Sequence, residues 1–337
     1  MNSKKNTIFG KFVFTLNSIL CLFLFSCYII NNFYLDILSD YSLISVFYPQ
    51  FFILNLLFLI YWILKFDFRF ILSLVFLFIS ISNPIYLFNS NSYSDDNNLT
   101  QIMSYNVRLF NHYNWINSES IPSEISNFIK SKNPDILCFQ EYHNKNIDLF
   151  KDYSEVHLGL NGENVGLAIF SKEKIIDKGD IRDSKGKLLA IYVDLKIKND
   201  TIRVYNTHLK SYNLDLLSLK ADKKSIKEIF DKSRNVYQVQ NNQSELILSH
   251  IKKSKYPIIL SVDLNNTPYS FVYKKFEKKY DDSFVENGIG FGSTFGSKIL
   301  PMRIDYIFKS SSITSKKFTI YDVKFSDHKP ISMFFNI

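Results

Sequence analysis

Charge is almost missing from the first 92 residues of this 337-residue chain. Only Lys4, Lys5, Lys11, Lys65, Arg69, Asp36, Asp40 and Asp67 fall there, while the same stretch holds half of the 32 phenylalanines. That imbalance excludes a uniform globular protein. Cysteine is scarce as well: Cys21 and Cys27 lie in apolar stretches and Cys138 in an apparent strand, which excludes a disulfide framework and a cysteine zinc site and leaves the compartment unread. Glycines are few, and Gly162, Gly166 and those of the stretch Gly288–Gly296 read as loop glycines. No helix with a Walker-type lysine follows them, so a phosphate-cradling loop is excluded. There is no internal repeat. A concentrated basic patch is also absent: the net charge of +8 is partly membrane-flanking Lys and Arg, and the rest is diffuse. It carries little weight as a sign of nucleic-acid binding.

What the first 92 residues do contain is three windows free of Asp, Glu, Lys and Arg: Phe12 to Leu35, Tyr41 to Leu64, and Phe70 to Ser94, whose apolar part stops near Phe88. A bilayer core of roughly 30 Å needs about 20 apolar residues at helical rise. None of the windows shows the polar stripe of a core helix in a soluble fold. Transmembrane helices are therefore predicted over about 12–34, 42–64 and 70–88, within a membrane region of residues 1–92. The basic residues before the first window and between the second and third place the N-terminus in the cytoplasm. Three crossings then put everything after Phe88 outside the cytoplasm, anchored to the cell membrane. A signal peptide in place of the first span is disfavoured, because no small-residue cleavage pattern follows it.

After a polar linker at 93–98, residues 99–337 read as one domain. Short β-rich runs recur at Gln101 to Val107, Asp135 to Phe139, Gly166 to Ser171, Leu188 to Ile197, Thr201 to Thr207, Ile258 to Val262, Ile304 to Phe308, Phe318 to Val323 and Ile331 to Phe335. Helices are predicted over Ser123 to Ser131, behind Pro122, and over about Val236 to Lys253, and a hairpin with its turn at Asn199-Asp200. The Lys-rich run around Lys220 to Lys232 reads as a solvated helix. This mixture predicts two packed sheets with helices outside them.

Polar residues gather at the ends of these strands, where a buried face gives no reason for them. Asn106, Glu141, His208, Asp263, Asn265, Asp305, Asp327 and His328 all sit so, and Ser293 and Thr294 precede Asp305 closely enough to line the same place. Carboxylate and amide oxygens are hard ligands suited to Mg²⁺ or Mn²⁺, and histidines beside carboxylates suit proton transfer near neutral pH. Phosphate-ester hydrolysis needs such a set: a metal to neutralise charge, a base for the water, and donors for the non-bridging oxygens. Taken alone, Asp263-Leu264-Asn265-Asn266-Thr267-Pro268 would be an ordinary Asx-rich turn.

Ser104-Tyr105-Asn106-Val107, Gln140-Glu141, Asn206-Thr207-His208-Leu209, Val262-Asp263-Leu264-Asn265-Asn266-Thr267-Pro268, Arg303-Ile304-Asp305-Tyr306 and Ser326-Asp327-His328-Lys329-Pro330 resemble, in order, the motifs of the endonuclease/exonuclease/phosphatase superfamily. The resemblance implies a four-layered α/β sandwich like that of deoxyribonuclease I and Mg²⁺-dependent hydrolysis of phosphodiesters or phosphomonoesters. It implies that Glu141 is the principal metal ligand, with Asn106 and Asp327 on the metal side. Asp263 would orient or deprotonate the attacking water, Asn265 and His208 would contact the scissile phosphate, and His328, oriented by Asp305, would act as base or phosphate stabiliser. Arg108 stands where several nucleases of the group carry Asp, which argues for one metal. Arg108 itself either contacts substrate phosphate or faces solvent. The substrate class stays open between nucleic acid, as for an extracytoplasmic endonuclease, and a lipid headgroup. A non-catalytic membrane-bound binding protein on the same fold is the alternative of another class.

Overall fold

The computed structural model describes residues 8–81, 89–90, 99–162, 164–212, 223–296 and 301–337. The chain falls into two units. One gathers the described parts of residues 1–85, 214–238 and 269–274, the other those of 86–213, 239–268 and 275–337. The division is therefore not one cut after the apolar region: two segments from the C-terminal half group with the N-terminal helices.

The first unit holds α1 (Ile8–Asn32), a 3₁₀ stretch (Asp36–Phe47), α2 (Tyr48–Leu64) and α3 (Phe70–Ile81). Pro49 starts α2, where its missing N–H leaves no hydrogen bond unmade. Two apolar segments are long enough to cross a membrane, Ile8–Asn32 with 25 residues and Tyr41–Leu64 with 24. The expectation of three spans is corrected here. Described α3 has 12 residues, short of a crossing, and the rest of that predicted span, to Phe88, lies outside the described residues. The linker at 93–98 also lies outside them.

Polarity in this unit is inverted relative to a water-soluble bundle. Asn17, Asn55 and Ser73 are fully buried, whereas Ile53, Leu57, Ile60, Leu64 and Phe78 are exposed. The Ser73 hydroxyl donates to Asn17 Oδ1 and the Cys21 thiol to Asn55 Oδ1, each at 2.9 Å, which links α1 to both other helices. At one end Arg69 donates to the Gly10 carbonyl at 2.9 Å and lies over the Trp62 ring. Elsewhere in the unit Tyr34 stacks on Tyr237 and Tyr48 on Tyr269, with ring centroids 5.2 and 4.4 Å apart.

The second unit is a sandwich of two six-stranded sheets. Its strands are β1 (Thr100–Asn106), β2 (Ile136–His143), β3 (Glu155–Asn161), β4 (Val165–Ser171), β5 (Lys174–Arg182), β6 (Leu188–Ile197), β7 (Asp200–His208), β8 (Ile258–Asp263), β9 (Asp305–Lys309), β10 (Thr314–Ile320) and β11 (Ile331–Asn336). One sheet runs β10-β11-β1-β2-β4-β3; the other runs from a short Asp281–Asp282 edge through β9-β8-β7-β6-β5. Each has one parallel pair at its centre among antiparallel neighbours, β1 with β2 and β7 with β8. Parallel neighbours need a crossover, and helices supply it: α4 (Ile121–Lys132) between β1 and β2, α5 (Lys223–Ile251) between β7 and β8.

Alternation along the strands makes the layers. Ile102, Cys138, Ile191, Val204 and Ile259 fill the space between the sheets, while Met103, Tyr105, Leu137 and Phe139 point outward to Ile121, Ile125 and Ile129 of α4. On the other side His250 of α5 bonds the Tyr205 hydroxyl of β7 at 3.2 Å. The result is the expected four-layered α/β sandwich. Gly159 marks where the sheets approach: a Cβ there would lie 2.2 Å from Ile191 Cγ2.

Glu277 ends the short helix α6 (Phe271–Glu277), half-buried near Asp282. Burial, then the Asp282 charge, pushes its carboxyl from the ordinary 4.5 up to about 7, against the pull of Arg303 and Lys278. Between those two values the folded protein holds a proton that the unfolded chain has lost, so stability falls as pH rises through that window. Glu277→Gln is expected to flatten the dependence of the thermal midpoint on pH from about 5 to 7 and to stabilise the protein above it by about 1 kcal/mol, a figure reduced for the group's partial exposure. An unchanged slope would remove Glu277 as its source.

Candidate active site

Because the central strands of each sheet are parallel, their C-terminal ends open on one edge of the sandwich. Ligands of open α/β sheets bind outside such ends. There the chain places Asn106 (last residue of β1), Glu141 (near the end of β2), His208 (last of β7) and Asp263 (last of β8). Antiparallel pairing adds Asp305, the first residue of β9, directly opposite Asp263. His328 enters three residues ahead of β11, bridged to Phe295.

Local backbone aims two of these groups. The sequence reads β2 as ending before Glu141, but the strand continues to His143 through an irregularity between Phe139 and Tyr142. Glu141 sits in it at φ 49° and Asn265 follows β8 at φ 50°. The left-handed region costs a residue with a side chain about 1–2 kcal/mol, and such strain gathers at functional sites. Arg108, Leu109, Phe110 and Asn111 add a run of four positive φ values after Asn106.

Asp263 is the hub. Its side chain is fully buried, accepting from Asn106 Nδ2 at 2.9 Å and from the Asn265 backbone N–H at 2.8 Å. His208 Nε2 lies 3.5 Å from Asp263 Oδ2 and His328 Nε2 3.8 Å from the same oxygen. Glu141 is a third exposed; Asn106 Nδ2 reaches its Oε1 at 3.3 Å and His208 Nε2 stands 3.8 Å away. Asn265 donates its side-chain amide to the Leu209 carbonyl at 3.1 Å. The other nitrogen of His328, Nδ1, meets both Asp305 oxygens at 3.0 and 3.1 Å. Burial pulls the His328 ring toward the neutral form, but the Asp305 and Asp263 charges and the Asp305 hydrogen bond outweigh it and push its pKa up to about 10. The ring holds its proton more firmly than a free imidazole, while burial raises the Asp305 carboxyl beside it.

Asp327 lies at the rim. Arg108 Nε approaches its Oδ2 at 3.3 Å and the guanidinium covers the Trp115 ring at 4.4 Å. Arg108 is thus an internal partner of a site carboxylate, an arrangement outside both readings of the sequence. Ser293 and Thr294 differ in role: Thr294 is buried, its hydroxyl accepts the backbone N–H of Ile304 and Asp305, and its carbonyl accepts that of Lys329. It therefore fastens the Asp305 and His328 segments together.

Beneath these groups lies a layer whose members, Ser104, Gln140 and Asn206, stand inside the quoted motifs but were given no role by the sequence, together with Ser261. Gln140 Nε2 donates to Asn206 Oδ1 at 2.7 Å and to the Ser104 and Ser261 hydroxyls at 3.1 and 3.2 Å. Asn206 Nδ2 donates to the Phe139 and Ala168 carbonyls at 2.8 and 2.9 Å. These side chains are buried and tie one sheet to the other. The usable signal was a polar residue on the inward face of an otherwise apolar strand, as at Ser104, two before Asn106. Gln240, on α5, similarly joins the loop after His208 to the one after Asp263 through the Lys210 and Leu264 carbonyls and the Asn266 amide.

The donor set fits a hard divalent cation at Glu141, since Mg²⁺ uses one or two carboxylates and keeps its waters. Asp263, Asp305 and His328 also bring one ligand-type atom each within 4.8 Å. In that buried trio, however, His328 Nδ1 is already committed to Asp305, which suits proton holding better than cation binding.

Residues 103–328 match the model of the Endonuclease/Exonuclease/phosphatase family. The chain belongs to that family, whose members are phosphoesterase hydrolases. Residues 10–86 match a second model, a domain of unknown function. Among solved structures the chain is similar to an endonuclease/exonuclease/phosphatase from Bacteroides vulgatus (17% identity, TM-score 0.58, covering 72% of this chain and 100% of that one). It is also similar to the human Nocturnin catalytic domain with bound sulfate (19%, 0.51, covering 71% and 93%) and to a mannosyl-6-phosphatase from Bacteroides thetaiotaomicron (20%, 0.50, covering 71% and 100%). At such identities these likenesses show the fold. A comparison with curated proteins finds no match.

Proposed function

We propose that this chain is a divalent-metal-dependent phosphoesterase, held in the cell membrane by its N-terminal helices with the sandwich outside the cytoplasm. The observation that carries the catalytic part is the convergence of Asn106, Glu141, His208, Asp263, Asp305 and His328, from six separate segments, on one strand-end cluster. Glu141, its carboxylate oriented by the Asn106 amide and with Asp327 at the rim, would hold Mg²⁺ or Mn²⁺, which when bound neutralises phosphate charge.

Asp263, fixed by Asn106 and Asn265, orients the attacking water and takes its proton. His208 and the Asn265 amide contact the non-bridging oxygens. His328, its Nδ1 held by Asp305, offers the Nε2 proton to charge that builds on the phosphate, which favours phosphate stabiliser over base. The inverted polarity of the first unit supports the membrane part, because buried Asn and Ser with apolar residues outside is the arrangement lipid favours. Orientation rests on Lys and Arg placement.

The test uses the full chain in detergent. Hydrolysis of bis-p-nitrophenyl phosphate is expected to need Mg²⁺ or Mn²⁺ and to fall at least roughly a hundredfold in Glu141→Ala. Protease added to intact cells is expected to remove the C-terminal domain. Metal-independent turnover unaffected by Glu141→Ala would sink the catalytic reading, and protection from protease the orientation.

A further inference from the structure

We propose that the cleft beside Glu141 and His208 is a second anion subsite, built for an additional phosphate on a small polyol, with Lys187 and Lys210 as its specificity residues. The proposal rests on the phosphoesterase reading above. The cleft has a volume of about 290 Å³ and is walled by Asn161 at the end of β3, Lys187 leading into β6, Lys210 two residues past His208, and Gln243 of α5. That volume is at the small end of ligand sites, roughly 300–1,000 Å³, so it suits a headgroup-sized moiety and not a polymer.

Two features make the lysines a ligand's partners. Among the described residues neither Lys187 nor Lys210 makes an ion pair, and the two line the same cleft. Two ammonium groups against the single Glu141 carboxylate leave the cleft a net positive charge that an anion lowers. Both backbones are also fixed in advance. The Lys210 N–H donates to Gln243 Oε1 at 2.9 Å and its carbonyl accepts from Gln240 Nε2 at 2.7 Å, and both glutamines are buried. The Lys187 N–H donates to Asp183 Oδ1 at 2.9 Å, its carbonyl accepts the Asp183 N–H, and Gly186 at φ 80° closes that turn. Each lysine therefore reaches the cleft from a fixed backbone position, so binding has no loop to order. Side-chain amides from Asn161 and Gln243 suit the hydroxyls of a polyol.

A second phosphate can belong to a free sugar or to a lipid headgroup, and calorimetry on the metal-free full chain in detergent separates them. The soluble pair is fructose 6-phosphate and fructose 1,6-bisphosphate; the lipid pair is dioctanoyl phosphatidylinositol and its 4-phosphate. The doubly phosphorylated member of at least one pair is expected to bind about tenfold more tightly, one good charge-assisted contact, and the pair that shows it identifies the source. The Lys187→Gln/Lys210→Gln double variant is expected to bring the two members within about twofold, without loss of affinity for the singly phosphorylated one or of bis-p-nitrophenyl phosphate turnover. Equal affinities in both pairs, or equal losses for both members in the variant, would overturn the subsite. Selective binding without any turnover would instead overturn the catalytic reading and leave the subsite standing.

Discussion

Asp263→Ala is expected to lower phosphoester turnover by about a thousandfold, the span of a positioned base or water-orienting carboxylate. No other site residue has so many site partners: Asn106, the Asn265 N–H and both histidines address its two oxygens. Asp263→Asn gives the sharper test. The Asn106 amide is oriented by the Arg108 N–H, which donates to its Oδ1 at 3.0 Å, so Nδ2 must face Asp263. An Asn at 263 keeps an acceptor for only one of its two donors and sets an NH₂ against an NH₂, or else turns an NH₂ on the Asn265 N–H. We expect kcat for bis-p-nitrophenyl phosphate to fall in both variants, with Asp263→Asn losing about 1–3 kcal/mol of stability from the donor conflict as well. Turnover within about tenfold of wild type in both variants would move the water-handling role to another group.

The second large effect belongs to a residue that touches no substrate. Asn206→Leu deprives the buried Phe139 and Ala168 carbonyls of a donor and Gln140 of one of its three acceptors in the layer between the sheets. Each buried group left unsatisfied costs about 1–3 kcal/mol, so a loss of roughly 3 kcal/mol or more is expected. For a domain of this size that lowers the thermal midpoint by roughly 6–12 °C. The midpoint in detergent, followed by circular dichroism, checks it; a change of under about 2 °C would mean that the layer contributes little to stability.

The motifs were legible because each pairs a strand with a polar end, and a polar residue there has no burial to account for it. The recurring short apolar runs gave two packed sheets with helices outside them, and the family resemblance gave the four layers; the order of strands within each sheet depends on pairings between distant segments and was not legible. The two missed strands, β3 and β5, stand outside those runs: β5 is the outer strand of its sheet, and most of its residues are exposed, so no alternation is written into Lys174–Arg182. The hairpin between β6 and β7 was found with its turn one residue late, since Ile197 pairs with Asp200 and the loop is Lys198-Asn199. Helix α5, Lys223–Ile251, joins into one element the solvated helix read around Lys220 to Lys232 and the apolar-faced helix read from about Val236, which looked separate because the first turns are too polar to show an apolar face. The Arg108–Asp327 pair joins residues over two hundred positions apart and needs three dimensions to be seen.

The grouping of 214–238 and 269–274 with the N-terminal helices bears on how this enzyme can be handled. A chain cut at Leu99 keeps every motif, yet strips Tyr237 and Tyr269 of Tyr34 and Tyr48 and leaves their rings, with Phe271, facing water. Such a fragment would carry a sticky aromatic patch and tend to aggregate. Separation from the N-terminal helices is thus costly, and purification should begin from the intact chain.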